Sequence, residues 1–384
     1  MSRSQFDTAD STDSGHNPRP DAVVLFTCVG RRVSLLRRFR KAAVKLGLQA
    51  AFYGTDTTRL SPALQECDKA FLVESTTHSD YIRQLLSIVR DHRVNLLVPT
   101  VDLDLPLLSR YRSDFEVLGC RVLISDLDVI DICRDKRRTF GFLRNNGFDT
   151  PATMSVRAAL VADRRGELIW PCFLKQWDGS GSKGNAVARN AGELRFFARR
   201  IPNAICQEFI EGTEYTCDVY IDFAMRVRCV VPRLRIEIRS GEASKGQVVK
   251  DRRIMDEARR LVERLGAGPG VITIQLFVTT ASEIRFTEIN PRFGGGVPLS
   301  IEAGADFPLW ILQELTGDQP RIRFDGFTDG LMMLRYDAEV WCRDADLKGV
   351  EVDVPSACGR DKTSPSDPSV QLVPSPFQDS GQAR

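Results

Sequence analysis

The sequence predicts an α/β domain with a parallel sheet, followed by an α+β region. In the first third, continuous apolar runs alternate with amphipathic segments, which is typical of buried parallel strands that helices cover on both faces. In the second half apolar and polar residues alternate instead, as in "CQEFIEGTEYTCDVYID" (206–222), which is typical of antiparallel sheet. With 384 residues, the chain is long enough for two or three domains.

The first domain can be followed element by element. "AVVLFTC" (22–28) is predicted to be a strand, and "RRVSLLRRFRKAAVKLG" (31–47) a helix that ends at Gly47. The elements that follow are the strand "LQAAFYGTD" (48–56), the amphipathic helix "YIRQLLSIVRDH" (81–92), the strand "VNLLVPT" (94–100) and the last strand "CRVLIS" (120–125).

Polar residues follow several of these strands. In open parallel sheets, ligands bind beyond the carboxyl ends of the strands. Candidate positions are therefore Gly30-Arg31-Arg32, Asp56 and Thr100-Val101-Asp102. Helix caps and turns use the same residue types, so the sequence leaves both roles open at each position.

Composition suggests the domain boundaries. The two ends are rich in Ser, Asp and Pro, and such segments cannot bury enough apolar surface to fold. We expect disordered tails at 1–20 and 346–384, the α/β domain at 21–130 and the second domain at 131–345, with a lid at about 151–205.

Bulk properties argue against several classes of protein. The formal net charge of +2 gives no indication of nucleic-acid binding, and no apolar run approaches the roughly 18 residues of a membrane span. The N-terminus lacks the apolar core of a secretory signal. The ten cysteines form no CxxC pair, which predicts reduced, mostly buried thiols in a cytoplasmic protein. The three histidines (His16, His78 and His92) are too few and too scattered to favour a zinc site or a histidine-based triad.

A glycine-rich hairpin marks the middle of the chain. "GSGSKG" (179–184) satisfies GxGxxG, but a strand-like segment follows it instead of the helix that a dinucleotide site requires. Bare backbone amides together with Lys175 and Lys183 suit a polyphosphate. A flexible surface hairpin is the alternative.

A second motif lies near residue 290. In "FTEINPRFGGG" (286–296), Glu288 and Asn290 stand two residues apart on a predicted strand, so their side chains share one face. Arg292 and three glycines follow directly. An exposed edge with a turn-forming Asn-Pro is the alternative to a functional site.

Three motifs in order resemble the ATP-grasp superfamily, and within it the proteins similar to the large subunit of carbamoyl-phosphate synthetase. They are "PCFLKQWDGSGSKG", "CQEFIEGTEYTCDV" and "ITIQLFV…RFTEINPRFGGG". The resemblance covers about 22–345 and implies a Rossmann-like pre-ATP-grasp domain before an ATP-grasp domain. The synthetase subunit carries two ATP modules, whereas this chain has room for one.

The resemblance implies a site for ATP with Mg²⁺ or Mn²⁺. Glu288 would bridge metal ions and Asn290 would complete one of them, while the uncharged Gln275 on the neighbouring strand would be a weaker ligand. Lys175 and Arg292 would be catalytic, Arg292 by neutralising charge on the γ-phosphoryl group. The residues implied for the nucleotide are Lys136, Lys175, Gly181, Ser182, Lys183, Gly184, Glu208, Phe209, Ile210 and Glu214.

The resemblance also implies a ligase that converts a carboxylate to an acyl phosphate and joins it to an amine, or to a thiol. Small-molecule carboxylates and amines, amino acids among them, are the expected partners, and dimers are common in the family. A catalytically silent ATP-binding regulatory or scaffold protein is the alternative; the presence of Glu288, Asn290 and Arg292 favours the ligase. The acceptor site is expected to involve Arg233, Arg235, Lys245, Gly294 and Gly295, although a solvated basic strand would also explain the first three.

Overall fold

The structure is a computed structural model that describes residues 20–179, 184–239 and 241–352. Of the predicted tails, residues 1–19 and 353–384 lie outside the described residues. The same holds for four members of the glycine hairpin, Ser180, Gly181, Ser182 and Lys183.

The N-terminal domain is built on a six-stranded parallel sheet, as predicted. All six residues of its first strand are buried, in agreement with the continuous apolar run. Its first helix ends at Gly47, which adopts a left-handed φ of 69°. In chain order the elements are β1 (Ala22–Thr27), α1 (Val33–Leu46), β2 (Ala50–Asp56), α2 (Pro62–Gln65), β3 (Lys69–Leu72), α3 (Tyr81–His92), β4 (Leu96–Pro99), α4 (Leu105–Arg110), α5 (Arg112–Val117) and β5 (Arg121–Val122).

The end of the described chain returns to this sheet. After a short 3-10 helix (Asp344–Asp346), β16 (Val350–Glu351) pairs in parallel with β3 and gives the sheet order β16-β3-β2-β1-β4-β5. The prediction of a tail from 346 onward is therefore wrong for residues 346–352. A two-residue strand carries too little pattern to be predicted, and its order comes from distant contacts, such as the amide of Gln84 that donates to the carbonyl of Val352 at 2.9 Å.

A small four-stranded sheet with the order β6-β9-β7-β8 occupies the segment in which we expect the lid. Its helices begin at side-chain caps: the Ser155 hydroxyl accepts from the backbone N–H of Ala158, and Asn190 accepts from that of Glu193. The elements leading into and forming the lid are α6 (Leu127–Arg134), α7 (Lys136–Asn145), β6 (Thr153–Ser155), α8 (Val156–Arg164), β7 (Cys172–Gln176), β8 (Ala186–Ala188), α9 (Ala191–Ala198) and β9 (Ala204–Glu208).

A six-stranded antiparallel sheet with the order β14-β13-β10-β11-β12-β15 forms the rest of the second domain. The predicted change from parallel to antiparallel architecture is confirmed. The elements are β10 (Gly212–Ile221), β11 (Val227–Arg239), β12 (Glu242–Val248), α10 (Arg252–Leu265), β13 (Gly270–Thr279), β14 (Ile284–Asn290), α11 (Val297–Glu302), α12 (Phe307–Leu315) and β15 (Met332–Leu334).

A buried ion pair lies at the centre of this sheet. Asp218 on β10 is fully buried, and its Oδ2 accepts from Arg233 Nε at 2.8 Å and from the Ser300 hydroxyl at 2.6 Å. Its Oδ1 accepts from Arg233 Nη2 at 3.0 Å and from the Thr273 hydroxyl at 3.2 Å. One carboxylate thus links β10, β11, β13 and α11. Buried charges are tolerated when they are paired and hydrogen-bonded in this way.

The cysteines agree with the predicted reduced state. Nine lie among the described residues; all are free thiols, and only Cys342 of these nine is exposed. Burial raises the pKa of the Cys120 thiol to about 12. Among the described residues, no helix is both long and apolar enough to cross a membrane.

The Asp218 network predicts a large loss of stability when the carboxylate is removed. Asp218→Ala leaves the guanidinium of Arg233 buried without a counter-charge, so the free energy of unfolding should fall by about 3–5 kcal/mol. Glu263→Ala, which removes an exposed pair with Arg259 on α10, should cost at most about 1 kcal/mol. Urea denaturation measures both values, and equal losses would contradict a central role for Asp218.

Candidate active site

Most of the predicted site residues meet in one cleft of about 810 Å³, but Lys245 and Gly184 do not line it. The N-terminal domain contributes the residues that follow β4, and the lid and the antiparallel sheet form the other walls. The predicted residues that line the cleft are Lys136, Lys175, Glu208, Phe209, Ile210, Glu214, Arg233, Arg235, Gln275, Glu288, Asn290, Arg292, Gly294 and Gly295.

The hinge between β9 and β10 leaves backbone groups free at one end of the cleft. Ile210 lies between the two strands, and its N–H and C=O make no backbone hydrogen bond to any described residue. Glu208 is held by Arg285 Nη1 at 3.2 Å and by the backbone N–H of Ala152 at 3.0 Å. An unpaired amide beside a cleft can form hydrogen bonds with the edge of a planar base. This fits Ile210 as one of the residues expected to bind the nucleotide.

Lys175 on β7 is the buried ammonium of the cleft, with 6% exposure. Burial lowers the pKa of Lys175 to about 8, although the charge of Glu288 opposes this shift. Lys175 makes no ion pair with a described residue, whereas Lys136 Nζ donates to the carbonyl of Gly179 at 2.5 Å. A buried cation without an acidic partner fits a site for an anion such as a phosphate.

Glu288 and Asn290 end β14 on the cleft side. Asn290 Nδ2 donates to Glu288 Oε1 at 3.1 Å, so the amide oxygen of Asn290 and the second oxygen of Glu288 are available to a cation. The described residues contain no cluster of three or more His, Cys, Asp or Glu side chains that could hold a metal. The pair therefore fits Mg²⁺ that takes its other ligands from water and phosphate oxygens.

Arg235 on β11 occupies the side of the site where Gln275 was expected to bind metal. Its Nη1 donates to Glu214 Oε1 at 2.6 Å and to Gln275 Oε1 at 3.1 Å, and its side chain is only 5% exposed. Glu214, expected among the nucleotide-binding residues, therefore has an internal partner. Burial raises the pKa of Glu214, against the opposing effect of Arg235.

Arg292 joins the two domains. Its Nη2 donates to Asp102 Oδ2 at 2.6 Å, and Asp102 belongs to the segment after β4 that the sequence singled out. The other candidate carboxylate from that analysis, Asp56, has a turn role instead, because its Oδ2 accepts from the Gly30 N–H at 2.9 Å and from the Ser61 hydroxyl at 2.6 Å.

The glycine run after Arg292 makes room for the protein's own side chains. A Cβ at Gly295 would overlap the carboxylate of Glu242, and one at Gly296 would overlap the guanidinium of Arg233. Gly294, Gly295 and Gly296 also line the cleft, so a close approach of the acceptor substrate to them stays a prediction. Glu242 in turn accepts from Arg32 and Arg335, each at 2.8 Å.

Two residues expected at the acceptor site pair with acidic residues of the protein instead. Lys245 does not line the cleft; it is half exposed and pairs with Glu237 at 2.6 Å. Arg233 does line the cleft, but it is buried against Asp218. Glu242 and Arg335 were not predicted from the sequence, because no local pattern distinguishes them from other charged surface residues.

Comparison with known families agrees with this geometry. A family model described as an ATP-grasp domain matches residues 133–296, and one described as the PylC-like N-terminal domain matches residues 24–123. The ATP-grasp match thus covers most of the second domain, and the PylC-like match covers the first. The predicted ATP-grasp enzyme fold, and ATP and Mg²⁺ as its cofactors, are thus confirmed at the level of the superfamily.

Individual relatives of this ATP-grasp chain are distant. Carbamoyl-phosphate synthase of Methanobrevibacter smithii is 25% identical over 135 residues, which is 34% of this chain and 36% of that protein. The matched part thus spans about a third of the curated relative.

Solved structures show the same fold at low sequence identity. The ADP complex of N5-carboxyaminoimidazole ribonucleotide synthetase has a TM-score of 0.65 at 16% identity, over 82% of this chain and 81% of that one. The biotin carboxylase domain of 2-oxoglutarate carboxylase from Hydrogenobacter thermophilus has a TM-score of 0.62 at 16% identity. This match covers 80% of this chain and 73% of that one. The L-amino acid ligase of Bacillus licheniformis has a TM-score of 0.60 at 18% identity. This match covers 78% of this chain and 75% of that one.

Nucleotide binding is expected to draw a proton onto Lys175. Because the pKa of the buried ammonium is about 8, a neutral fraction exists near that pH, and phosphate oxygens would restore the charged form. The affinity for ADP should be constant below about pH 8 and fall above it. Calorimetry near pH 8 in two buffers of different ionisation enthalpy measures the proton uptake.

Lys175→Arg is the matched control for this experiment, since a guanidinium stays charged throughout the pH range. Proton uptake should disappear in this variant. An equal uptake in the variant and in the wild type would assign the proton to another group.

Proposed function

We propose that the protein is an ATP-dependent ligase that activates a carboxylate as an acyl phosphate and transfers the acyl group to an amine. ADP and phosphate are the other products. The observation that carries the proposal is the end of β14, where Glu288 and Asn290 face the nucleotide side of the cleft and Arg292 reaches the N-terminal domain at Asp102. Glu288, Asn290 and Arg292 line the same cleft, which supports a role for all three in the transfer of a γ-phosphoryl group.

Groups of the protein that are available to a ligand support the proposed binding of ATP at three places in the cleft. The hinge backbone at Ile210 suits adenine, the ammonium of Lys175 suits the α- and β-phosphates, and Glu288 with Asn290 would hold Mg²⁺ against phosphate oxygens. When bound, the cation would neutralise charge on the triphosphate. The lid carries Lys175, and its closure over the site would exclude water from a reactive acyl phosphate.

Two steps complete the reaction. An oxygen of the carboxylate attacks the γ-phosphorus, the bond to the β–γ bridging oxygen breaks, and ADP leaves. The amine nitrogen then attacks the acyl carbon, the bond between that carbon and the phosphate oxygen breaks, and phosphate leaves while the nitrogen loses a proton. Arg292 would stabilise the charge of the transferring group, since fixed cations act most strongly on developing charge.

The acceptor half favours a substrate that carries both signs of charge. Asp102 and Glu242 line this part of the cleft beside Arg292 and Arg32, so carboxylates and guanidinium groups face the same space. An amino acid matches this arrangement, because its carboxylate and its ammonium group would each find a partner. We therefore propose amino acids as the first substrates to test.

A regulatory ATP-binding protein is the second candidate. The observation that favours it is the internal pairing of the cleft arginines: Arg233 with Asp218, Arg235 with Glu214 and Arg292 with Asp102. In a ligase, substrates must displace some of these partners. Turnover distinguishes the two candidates, because a regulatory protein would bind ATP without forming ADP.

The ligase predicts hydroxamate formation when hydroxylamine replaces the amine. Amino acids and other carboxylates should be screened with ATP and Mg²⁺, and the correct one should stimulate ADP and phosphate release together with the hydroxamate. Glu288→Gln should lower this rate by roughly 10²–10³-fold, the scale of losing one charge contact in a transition state. The surface variant Glu263→Gln on α10 serves as the control and should keep the full rate. AMP and pyrophosphate as products would contradict the acyl-phosphate mechanism.

A further inference from the structure

Arg235 lies inside the proposed metal and triphosphate site. Its side chain extends from β11 to Glu214 on the adjacent strand β10 and to Gln275 on β13, the next strand beyond, and one nitrogen, Nη1, contacts both. Arg235 Nη2 donates to the carbonyl of Gly241 at 2.9 Å, which fixes the plane of the guanidinium. Three acceptors therefore fix the position of the Arg235 guanidinium.

Gln275, the residue opposite Glu288, is thereby engaged in a hydrogen bond with Arg235. Gln275 pairs directly with Glu288 across β13 and β14, so it is the residue placed to share a cation with that carboxylate. Its Oε1 is the only side-chain acceptor it has, and this oxygen accepts from Arg235 at 3.1 Å. A divalent cation bound to the same oxygen would lie against a permanently charged guanidinium, and the two charges would repel each other.

The donor set also falls short of two cations. The carboxylates near the metal position are Glu288 and Glu214, and Glu214 is already paired with Arg235. Glu288 remains as the one carboxylate that can give its charge to a metal, with Asn290 as a neutral ligand. A second cation would therefore have only nucleotide phosphates as anionic ligands.

We propose that the site binds a single divalent cation with the nucleotide, at Glu288 and Asn290, and that the guanidinium of Arg235 supplies the positive charge where a second cation would bind at Gln275. The inference rests on the proposed nucleotide site. Arg235 Nε is buried and has no hydrogen-bond partner among the described residues, so the guanidinium still has an unused donor. Guanidinium groups bind phosphate oxygens strongly because their donors match the geometry of the anion.

Counting the bound cations tests the proposal directly. Mn²⁺ and the non-hydrolysable β,γ-imido analogue of ATP are dialysed to equilibrium against the protein, and bound metal and bound nucleotide are both measured, with electron paramagnetic resonance of the free Mn²⁺ as the second readout. The wild type should bind one Mn²⁺ per bound nucleotide at saturation. Two Mn²⁺ per nucleotide would overturn the proposal.

A pair of variants tests whether Arg235 causes this stoichiometry. Arg235→Gln combined with Gln275→Glu removes the guanidinium and supplies a carboxylate opposite Glu288, so the ratio should rise from one to two. Gln275→Glu alone should stay at one, because Arg235 remains in place to neutralise the new carboxylate. A ratio of two in this single variant, or of one in the double variant, would show that Arg235 does not exclude the second cation.

Arg239→Gln is the matched control, since it makes the same change on the same strand at a side chain that is 71% exposed. It should bind one Mn²⁺ per nucleotide. Failure of the two ideas is distinguishable: a wild-type protein that binds no nucleotide overturns the proposed function, whereas nucleotide bound with two cations overturns the inference about Arg235 alone.

Discussion

The buried carboxylate of Asp218 is the interaction on which the active-site geometry depends most. Two of its four hydrogen bonds fix Arg233 on β11, and Arg233 fills the space that Gly296 leaves open. Thr273, another partner of Asp218, lies 3.2 Å from the carbonyl oxygen of Arg292. The loop that carries Arg292 is therefore held in place by the hydrogen bonds of Asp218 and Thr273, a network that contains no proposed catalytic residue.

The cleft is lined by arginines that already have acidic partners. This arrangement removes the electrostatic cost of holding several cations close together in a partly buried space. It also means that an anionic ligand binds by exchanging partners. Asp102 is a natural group to be released, because it contacts Arg292 from the other domain and its side chain is 22% exposed, whereas Asp218 is fully buried.

Sequence patterns predicted those parts of the molecule that depend on local periodicity. The burial of β1 follows from its unbroken apolar run, and the shared face of Glu288 and Asn290 follows from strand alternation. The partners of Arg233, Arg235 and Arg292 could not be predicted, because Asp218, Glu214 and Asp102 are 15, 21 and 190 positions away in the chain. For the same reason Lys245 was expected in the cleft: a bulge in the pairing of β11 with β12 places it opposite Glu237, a contact that no local pattern encodes.

The pairing of β16 with β3 has a consequence for dissecting the molecule. The parallel sheet that the first strand begins is completed more than two hundred residues after β5, so the first domain is not continuous in sequence. A fragment that stops near residue 130 would expose the outer backbone groups of β3, where Val350 and Glu351 now pair. Unpaired strand edges of this kind readily join other chains. The isolated N-terminal domain would therefore tend to self-associate. In the longer polypeptide, β16 covers this edge and prevents such pairing.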